Sequence, residues 1–370
     1  MGNLKEKIKF IISKIGYKIP FRTLMREAKA RYILQEWSPC PNGSCIAKNE
    51  IDLQYDLQIV IPAYNAQDFI KECLDSVITQ TTKYRYLVTV VNDGSQDKTA
   101  EILLQYDKQT AEFLTGGGYT VEIITQENYG LSVARNRAIE TIKGTYILFL
   151  DSDDVLPPNT IESMISVAER NEFDLLQGAW YDFDVTSDYR IIEHHILTKD
   201  IVADGRQMSG YPWGKLYRWN VLQHFKFPEG FWFEDTPVSF IIAFIPYSFG
   251  IIDKFVYGYR LNPNGITATA AKRKKNIDTF WITENCLKEF PRFGIDYNQE
   301  AYEYFLKQSI MNWRRTWMHP RKIRKAIFVL TSNLIDIYFK NMKTKNVEMK
   351  DLEESLRNRK FIKYEAVMLQ

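Results

Sequence analysis

Short apolar runs alternate with amphipathic stretches between about residues 55 and 170. The runs 57–61, 87–91, 121–125 and 146–150 are apolar without alternation, which predicts strands buried on both faces of a sheet. Apolar residues recur at helical spacing over 69–78, 97–105 and 131–142, where Gly144 would close the helix, and another helix is predicted from Pro157 to about Arg170. The alternation predicts an α/β fold, a doubly wound, mostly parallel sheet flanked by helices.

The two ends of the chain differ from this core. We expect residues 1–54 to form a basic extension, residues 55–270 the sheet domain and residues 271–370 a helical C-terminal region. The basic and apolar residues of 5–31 suit either an anionic membrane surface or a helix packed on the main domain. Residues 238–252 are too short to span a bilayer and contain Pro246, so a buried helix followed by a strand is expected there.

Composition and charge exclude several classes of protein. The 370 residues are 45% hydrophobic with a net charge of +2, so nothing steers the whole molecule towards nucleic acid. Of the four cysteines, Cys40 and Cys45 lie close together, but no second Cys/His pair accompanies them to complete a zinc site. Reduced thiols are expected in a cytoplasmic protein. Cys73 falls in an apolar helical pattern and is predicted to be buried.

Polar clusters follow three of the predicted strands, at 62–65, 92–95 and 151–154. Ligands of open parallel sheets bind beyond the carboxyl ends of the strands, so a common crevice is predicted. Asp151 and Asp153 can both point into it, and their mutual repulsion suits a site for Mg²⁺ or Mn²⁺. The alternative is that Asp153 or Asp154 caps the helix that follows, and the two roles are compatible.

Two further residues have both functional and structural interpretations. Asp93 follows a buried strand and could accept hydrogen bonds from a base or ribose, or cap the helix near Asp97. Arg135 lies near the Gly130 turn and could pair with a phosphate, with Glu140 or with another acid.

Four segments, 59–65, 91–97, 128–136 and 151–154, resemble family 2 glycosyltransferases in sequence, order and spacing. The resemblance is close over about 57–160 and looser to about 270, and it implies a GT-A fold. Asn92 stands where many relatives have a first Asp before the retained Asp93. The resemblance implies a donor site formed by Pro62, Ala63, Tyr64, Asp93, Gly130, Arg135, Asp151 and Arg260. It also implies that Asp153, with Asp151, ligates Mn²⁺ or Mg²⁺ on the diphosphate.

The second half of the chain extends the resemblance. Residues 213–218 and 233–235 are similar to the acceptor-side segment of bacterial members, which implies Asp235 as the catalytic base with Glu234 as its rival. The same acids could start a helix with Pro237 in its first turn. His194 and His195 are adjacent on a predicted strand and point to opposite faces, so packing or exposed histidines are expected rather than a metal pair.

The resemblance implies an inverting, metal-dependent transfer from a nucleotide diphosphate sugar, most often UDP-linked, to a hydroxyl acceptor. A glycan or lipid-linked glycan acceptor, surface polysaccharide synthesis and a place at the inner face of the membrane, with peripheral contact, are expected. A sugar nucleotidylyltransferase would need a Gly-rich basic loop after the first strand, and a dehydrogenase would need G-x-G-x-x-G there. A non-catalytic nucleotide-sugar or glycan-binding protein is a further alternative.

Overall fold

The structure, a computed structural model, describes residues 25–114, 116–184, 190–195, 204–262, 265 and 273–369. The chain forms two compact units. One comprises Asn42–Gly230 and Glu234–Gly265, and the other comprises Met1–Pro41, Phe231–Phe233 and Ile266–Gln370. The boundary expected between residues 54 and 55 falls inside the first strand.

The first unit contains a nine-stranded mixed sheet. Its strands are β1 (Glu50–Ala63), β2 (Arg85–Asp93), β3 (Thr110–Glu112), β4 (Gly118–Gln126), β5 (Thr141–Phe149), β6 (Leu175–Asp184), β7 (Arg190–His195), β8 (Lys215–Arg218) and β9 (Phe249–Arg260). They lie in the order β3-β4-β2-β1-β5-β8-β6-β7, and β9 pairs with β6. The four neighbours β4, β2, β1 and β5 are parallel, as is the β6–β9 pair, which confirms the predicted α/β architecture.

Among the described residues of this unit, six α-helices and two 3₁₀ turns connect or follow the strands. They are α2 (Ile70–Ile78), α3 (Thr99–Leu104), α4 (Leu131–Ile139), α5 (Thr160–Asn171), α6 (Trp219–Leu222), α7 (Thr236–Phe240) and, as 3₁₀ turns, Gly205–Gln207 and Ile242–Phe244. The parallel strands are buried because β-branched and aromatic residues fill both faces, among them Val60, Ile61, Val88 and Val90. Cys73 of α2 is buried, as predicted.

Gly144 corrects one prediction. It was expected to end the third helix, but α4 ends at Ile139 and Gly144 lies within β5. It pairs with Tyr55, and a Cβ at this position would lie 2.4 Å from the backbone nitrogen of Gln58. The glycine is therefore required by the close approach of β1 and β5, and pairing between strands overrides the helical pattern of 131–142.

The second unit is helical. Helix α1 (Glu27–Trp37) belongs to it together with the helices that follow the sheet unit, α8 (Asp278–Glu289), α9 (Gln299–Thr316), α10 (Arg321–Tyr338), α11 (Lys350–Arg357) and α12 (Phe361–Met368), and the 3₁₀ turns Lys274–Ile277, Phe290–Phe293 and Val347–Met349. Arg31 of α1 donates two hydrogen bonds to the buried Glu284 of α8. Nowhere in the described part of the chain is a helix long and apolar enough to cross a membrane.

Candidate active site

Four parallel strands end at one edge of the sheet. β1 ends at Ala63, β2 at Asp93, β4 at Gln126 and β5 at Phe149. In register, Ala63 lies opposite Asn92, and Asp93 lies opposite Gln126. Because these strands run in the same direction, the polar segments that follow them collect along this edge.

The loops after β1 and β2 are tied side by side. Asn65, three residues after Pro62, has a φ of 48° and donates its backbone N–H to Ser95 Oγ at 3.0 Å. Its side-chain oxygen accepts the backbone N–H of Gln96 at 2.8 Å. Tyr64 is left 49% exposed at the rim, where its ring is available to a ligand.

Asp93 holds the turn that follows β4. One carboxylate oxygen accepts from Gln126 Nε2 and the Tyr129 N–H, and the other accepts from the Gly130 N–H, at 2.8 to 2.9 Å. Gly130 has φ 92° and ψ 167°, a conformation open essentially only to glycine. The helix-capping alternative for Asp93 was wrong, since Asp97 itself accepts the first N–H of α3.

Arg135 joins two acidic segments that lie far apart in sequence. It projects from α4, is 2% exposed, and donates to Asp151 Oδ1 and to Glu234 Oε1, each at 2.8 Å. Its guanidinium also lies over the ring of Phe227, 5.3 Å from the centroid. The local partner considered from the sequence, Glu140, pairs with Arg137 instead.

The pKa values follow from this arrangement. Burial opposes the charge of Arg135, but Asp151 and Glu234 outweigh it and raise the pKa of Arg135 above its usual range. Burial raises the pKa of Glu234 and nearby Asp235 raises it further, although Arg135 acts in the opposite direction. One buried guanidinium thus offsets part of the negative charge of the neighbouring carboxylates.

Asp154 is a structural residue within the acidic cluster. It is buried, accepts from the Tyr257 hydroxyl at 2.6 Å and accepts the Arg260 N–H at 2.7 Å. The Tyr257 hydroxyl also receives the Asp151 N–H at 3.2 Å. Burial, followed by the charges of Asp153 and Asp151, raises the pKa of Asp154 well above its usual value. These contacts fix the acidic loop to β9 rather than capping α5.

The side chain of Arg260 is engaged within the protein. Its Nε donates to the Asp153 carbonyl at 2.5 Å and its terminal nitrogen to Glu72 at 2.7 Å. The guanidinium lies over the rings of Phe183 and Phe69, at 4.6 and 5.1 Å. Arg260 therefore braces the acidic loop, and a phosphate contact by this residue stays a prediction.

Asp153 has a carboxylate suited to a hard cation. Asn262 donates to one of its oxygens at 3.2 Å, and burial, followed by the charge of Asp151, raises its pKa. Within the described ranges, no three acidic, histidine or cysteine side chains form a closed metal cage. A diphosphate-bound Mg²⁺ or Mn²⁺ commonly takes one or two carboxylates plus phosphate and water, so Asp151 and Asp153 fit such an ion.

Asp235 stands immediately before α7, with Pro237 in the first turn of that helix, so the helix-start interpretation is confirmed. It interacts electrostatically with Glu234, Arg135 and Lys215. Lys215 is fully buried, and burial lowers its pKa to about 7, although Asp235 opposes that shift. The structure thus brings Asp235 to the same charged cluster as Arg135 and Asp151.

Sequence reasoning missed three side chains of this site: Lys215, Tyr257 and Asn262. Lys215 lies within the segment 213–218 that extended the resemblance, and Tyr257 and Asn262 lie on either side of Arg260 in the chain. Their partners are far away in sequence, so only their position next to those segments could have identified them.

Residues 58–229 match the sequence profile of the family described as Glycosyl transferase family 2. This part of the chain is a family 2 glycosyltransferase domain. The matched residues include Asp93, Arg135, Asp151 and Asp153, and they end before Glu234.

Two relatives illustrate the extent of the similarity. The chain is 31% identical over 226 residues to a Bacillus subtilis protein named "Uncharacterized glycosyltransferase EpsJ", covering 57% of this chain and 62% of the relative. It is 25% identical over 279 residues to "Minor teichoic acid biosynthesis protein GgaB" of the same organism, covering 71% of this chain and 29% of the relative. The chain thus spans less than two thirds of the length of either relative.

A solved structure confirms the fold. Residues 1–349 of TarS from S. aureus, crystallised in complex with UDP-GlcNAc, superimpose with a TM-score of 0.64 at 18% sequence identity, covering 85% of this chain and 90% of that chain. At this identity the similarity concerns the GT-A fold alone.

Proposed function

We propose that the protein transfers a sugar, with inversion, from a UDP-sugar to a hydroxyl group of a bacterial surface polysaccharide. The observation that supports this most is the chain of ion pairs from Asp151 through Arg135 to Glu234. It links the acidic loop after β5, on the donor side, to the acidic pair before α7. A donor and an acceptor bound at these two places would have their reacting atoms adjacent.

The nucleotide would bind along the edge formed by β1, β2 and β4. Tyr64 offers an exposed ring to the base, close to Pro62 and Ala63. Asp93 fixes the Gly130 turn, whose backbone then lies beside the ribose and phosphates. Polar groups held in place before binding lower the ordering cost of donor binding.

Asp153, with Asp151, would hold a divalent ion on the diphosphate. Such an ion supplies positive charge that offsets the charge developing on the leaving nucleoside diphosphate. Arg135 orients Asp151, because it donates to Oδ1 of that residue.

Asp235 would act as the general base. The hydrogen bond from Arg135 commits Glu234 to an ion pair, which favours Asp235 over Glu234 for accepting the acceptor's proton. As the acceptor oxygen bonds to the anomeric carbon, the bond from that carbon to the phosphate oxygen breaks and the diphosphate leaves. Because attack and departure occur on opposite faces, the configuration inverts.

The acceptor class rests on a relative. GgaB is named for teichoic acid biosynthesis, and we extend that class of acceptor, a glycan or lipid-linked glycan, to this chain. A site of action on the cytoplasmic face of the membrane, with peripheral contact, belongs to the same proposal.

UDP release tests the proposal directly. The full chain is incubated with UDP-GlcNAc, UDP-glucose or UDP-galactose and with MnCl₂ or MgCl₂. We expect metal-dependent UDP release that Asp153→Ala removes. Asp235→Asn should abolish turnover while calorimetry still detects donor binding. Asp52→Asn, an exposed aspartate on β1, is the matched control.

Normal turnover in Asp235→Asn, or no uptake of any of the three donors with either metal, would refute the proposal. Donor binding without turnover in the wild type would instead favour a non-catalytic binding protein.

A further inference from the structure

Residues 209–213 run between the two acidic parts of the candidate site. At one end, Trp213 forms a parallel bridge with Phe149, the last residue of β5, two positions before Asp151. At the other end, Gly210 packs against α7, since a Cβ at this position would lie 3.2 Å from Ser239 Oγ. Because α7 begins directly after Asp235, the segment contacts β5 close to Asp151 at one end and the helix that follows Asp235 at the other.

Buried polar side chains hold this segment from inside. Lys215 Nζ donates to Ser209 Oγ at 2.7 Å and to the Tyr211 carbonyl at 2.5 Å. The Ser209 N–H donates to Gln177 at 2.9 Å, and the Tyr217 hydroxyl donates to the Pro212 carbonyl at 3.0 Å. A connection fixed by buried groups at this many points presents its outward side chains in a set orientation.

The outward side of the segment is aromatic. Tyr211 is 45% exposed and stacks on Trp213, with ring centroids 4.6 Å apart and planes 5° apart. Trp180 of β6 meets both rings edge-on, and His195 of β7 stacks on Trp180 at 4.6 Å. His195 is therefore a packing histidine, as expected.

A carboxylate accompanies these rings. His195 Nε2 lies 3.2 Å from Asp182 Oδ1, and the side chain of Asp182 is partly exposed. Aromatic faces with an adjacent carboxylate suit a sugar ring: the C–H groups of the sugar carry partial positive charge and contact the electron-rich ring face, while its hydroxyls donate to the carboxylate.

We infer that the surface formed by Tyr211, Trp180, His195 and Asp182, the Tyr211 surface, binds a sugar or polyol ring of the acceptor. The inference rests on the proposed function and specifies its acceptor side. Along the sheet, β2 and β1 lie on one side of β5, whereas β8, β6 and β7 lie on its other side. This order supports an acceptor rather than a donor role. Asp93 and Tyr64 therefore flank Asp151 on the side opposite the Tyr211 surface.

Saturation-transfer NMR on the full chain, without any donor, tests this inference. The probes are methyl β-D-glucopyranoside, methyl N-acetyl-β-D-glucosaminide and ribitol. We expect at least one probe to bind the wild type, and Tyr211→Ala to weaken it about tenfold, the loss of one stacking contact. Tyr211→Phe keeps the ring face and should bind as the wild type does. Tyr32→Ala, an exposed tyrosine of the helical unit, is the matched control.

Two results would overturn the inference: no binding of any probe to the wild type, or equal binding by the wild type and Tyr211→Ala. If thermal unfolding shows that Tyr211→Ala is misfolded, Asp182→Asn serves in its place, and full retention of probe binding by that variant counts against the Tyr211 surface. In acceptor kinetics, the KM for the acceptor should rise about tenfold in Tyr211→Ala with little change in kcat.

Donor calorimetry separates this inference from the proposed function. A chain that binds sugar probes through Tyr211 but takes up no UDP-sugar refutes the proposed function, and with it the acceptor role. A chain that binds UDP-sugars with metal, but binds the probes independently of Tyr211, refutes the Tyr211 surface alone.

Discussion

Arg135 donates a 2.8 Å hydrogen bond to Asp151 from a position in helix α4 where it is almost completely buried. The second arm of the same guanidinium reaches Glu234 at an equal distance. Lysine has one ammonium group and cannot reproduce this two-armed contact. The positions of Asp151, in the acidic loop after β5, and of Glu234 therefore both depend on one side chain.

Arg135→Lys should destabilise the protein strongly and reduce turnover. Lysine keeps the positive charge but cannot reproduce both hydrogen bonds, and a buried acceptor left without its donor costs about 1–3 kcal/mol. Thermal unfolding and UDP release measure the two effects. Arg137→Lys, on the same helix but exposed and paired with Glu140, should change stability by less than about 1 kcal/mol. Equal effects of the two substitutions would contradict the role assigned to Arg135.

Glu234 and Asp235 should respond differently to neutralisation. Asp235→Asn removes the proposed base and should lower kcat by about 10²–10⁴-fold while the Kd for the donor changes little. Glu234→Gln removes one of the two carboxylates that pair with the buried Arg135, so it should lower stability as well as activity. Kinetics and unfolding on both variants decide between the two carboxylates. A larger loss of kcat in a stably folded Glu234→Gln would assign the base to Glu234.

The buried Lys215 should make stability depend on pH. Its pKa in the folded protein is about 7, well below the usual 10.5, so between these values the unfolded chain binds more protons. Stability should then rise with pH by up to about 1.4 kcal/mol per pH unit from about pH 7 to about pH 10. Urea unfolding of the wild type and Lys215→Met across this range should show that the free energy of unfolding of the wild type rises relative to that of the variant.

Lys254→Met supplies the comparison for Lys215. Lys254 is exposed on β9, so its surroundings change little on unfolding. The curves of this variant and the wild type should run parallel. A Lys215→Met curve that also runs parallel to the wild type would show that the buried amine keeps its proton throughout.

Gly130→Ala should weaken donor binding through the backbone. A Cβ would meet no atom within 4 Å, so the cost comes from φ and ψ alone, about 1–3 kcal/mol. Any shift of this turn displaces the N–H groups that Asp93 holds. Calorimetry with the donor measures the result.

Gly116→Ala controls for the general effect on stability. Gly116 also has a positive φ, 90°, and open space around its Cβ position, but it lies between β3 and β4. The Gly116→Ala variant should lose stability without losing affinity for the donor. Equal donor affinity in both variants would remove the Gly130 turn from the donor site.

Tyr257→Phe should loosen the acidic loop. The hydroxyl donates to Asp154 Oδ2 and accepts the Asp151 N–H, and loss of these two hydrogen bonds in a buried place costs about 1–3 kcal/mol. Tyr247→Phe removes only a 3.4 Å contact with the Asn220 carbonyl and should cost less. Chemical denaturation compares the two variants, and similar losses would argue against a special role for Tyr257.

Local patterns predicted the parallel strands and the polar segments after them, because burial on both faces and turn residues leave a direct mark on the sequence. The same patterns could not predict contacts between distant segments. Arg135 had a plausible local partner in Glu140, and only the fold reveals that it reaches Asp151 and Glu234. Gly144 was likewise misinterpreted: it lies within β5, where the close approach of β1 requires a glycine, and not at the end of a helix.

The contacts of Arg260 with its neighbours have a consequence for how the protein would admit the proposed donor. This side chain donates hydrogen bonds to Glu72 and to the Asp153 carbonyl, and its guanidinium lies over two phenylalanine rings. The acidic loop is therefore attached to α2 and β9 before any ligand binds. Swinging that loop aside would break all of these contacts together. Asp151 and Asp153, the proposed metal ligands, are accordingly preorganised, and any gate that opens for the proposed donor has to be sought in other segments.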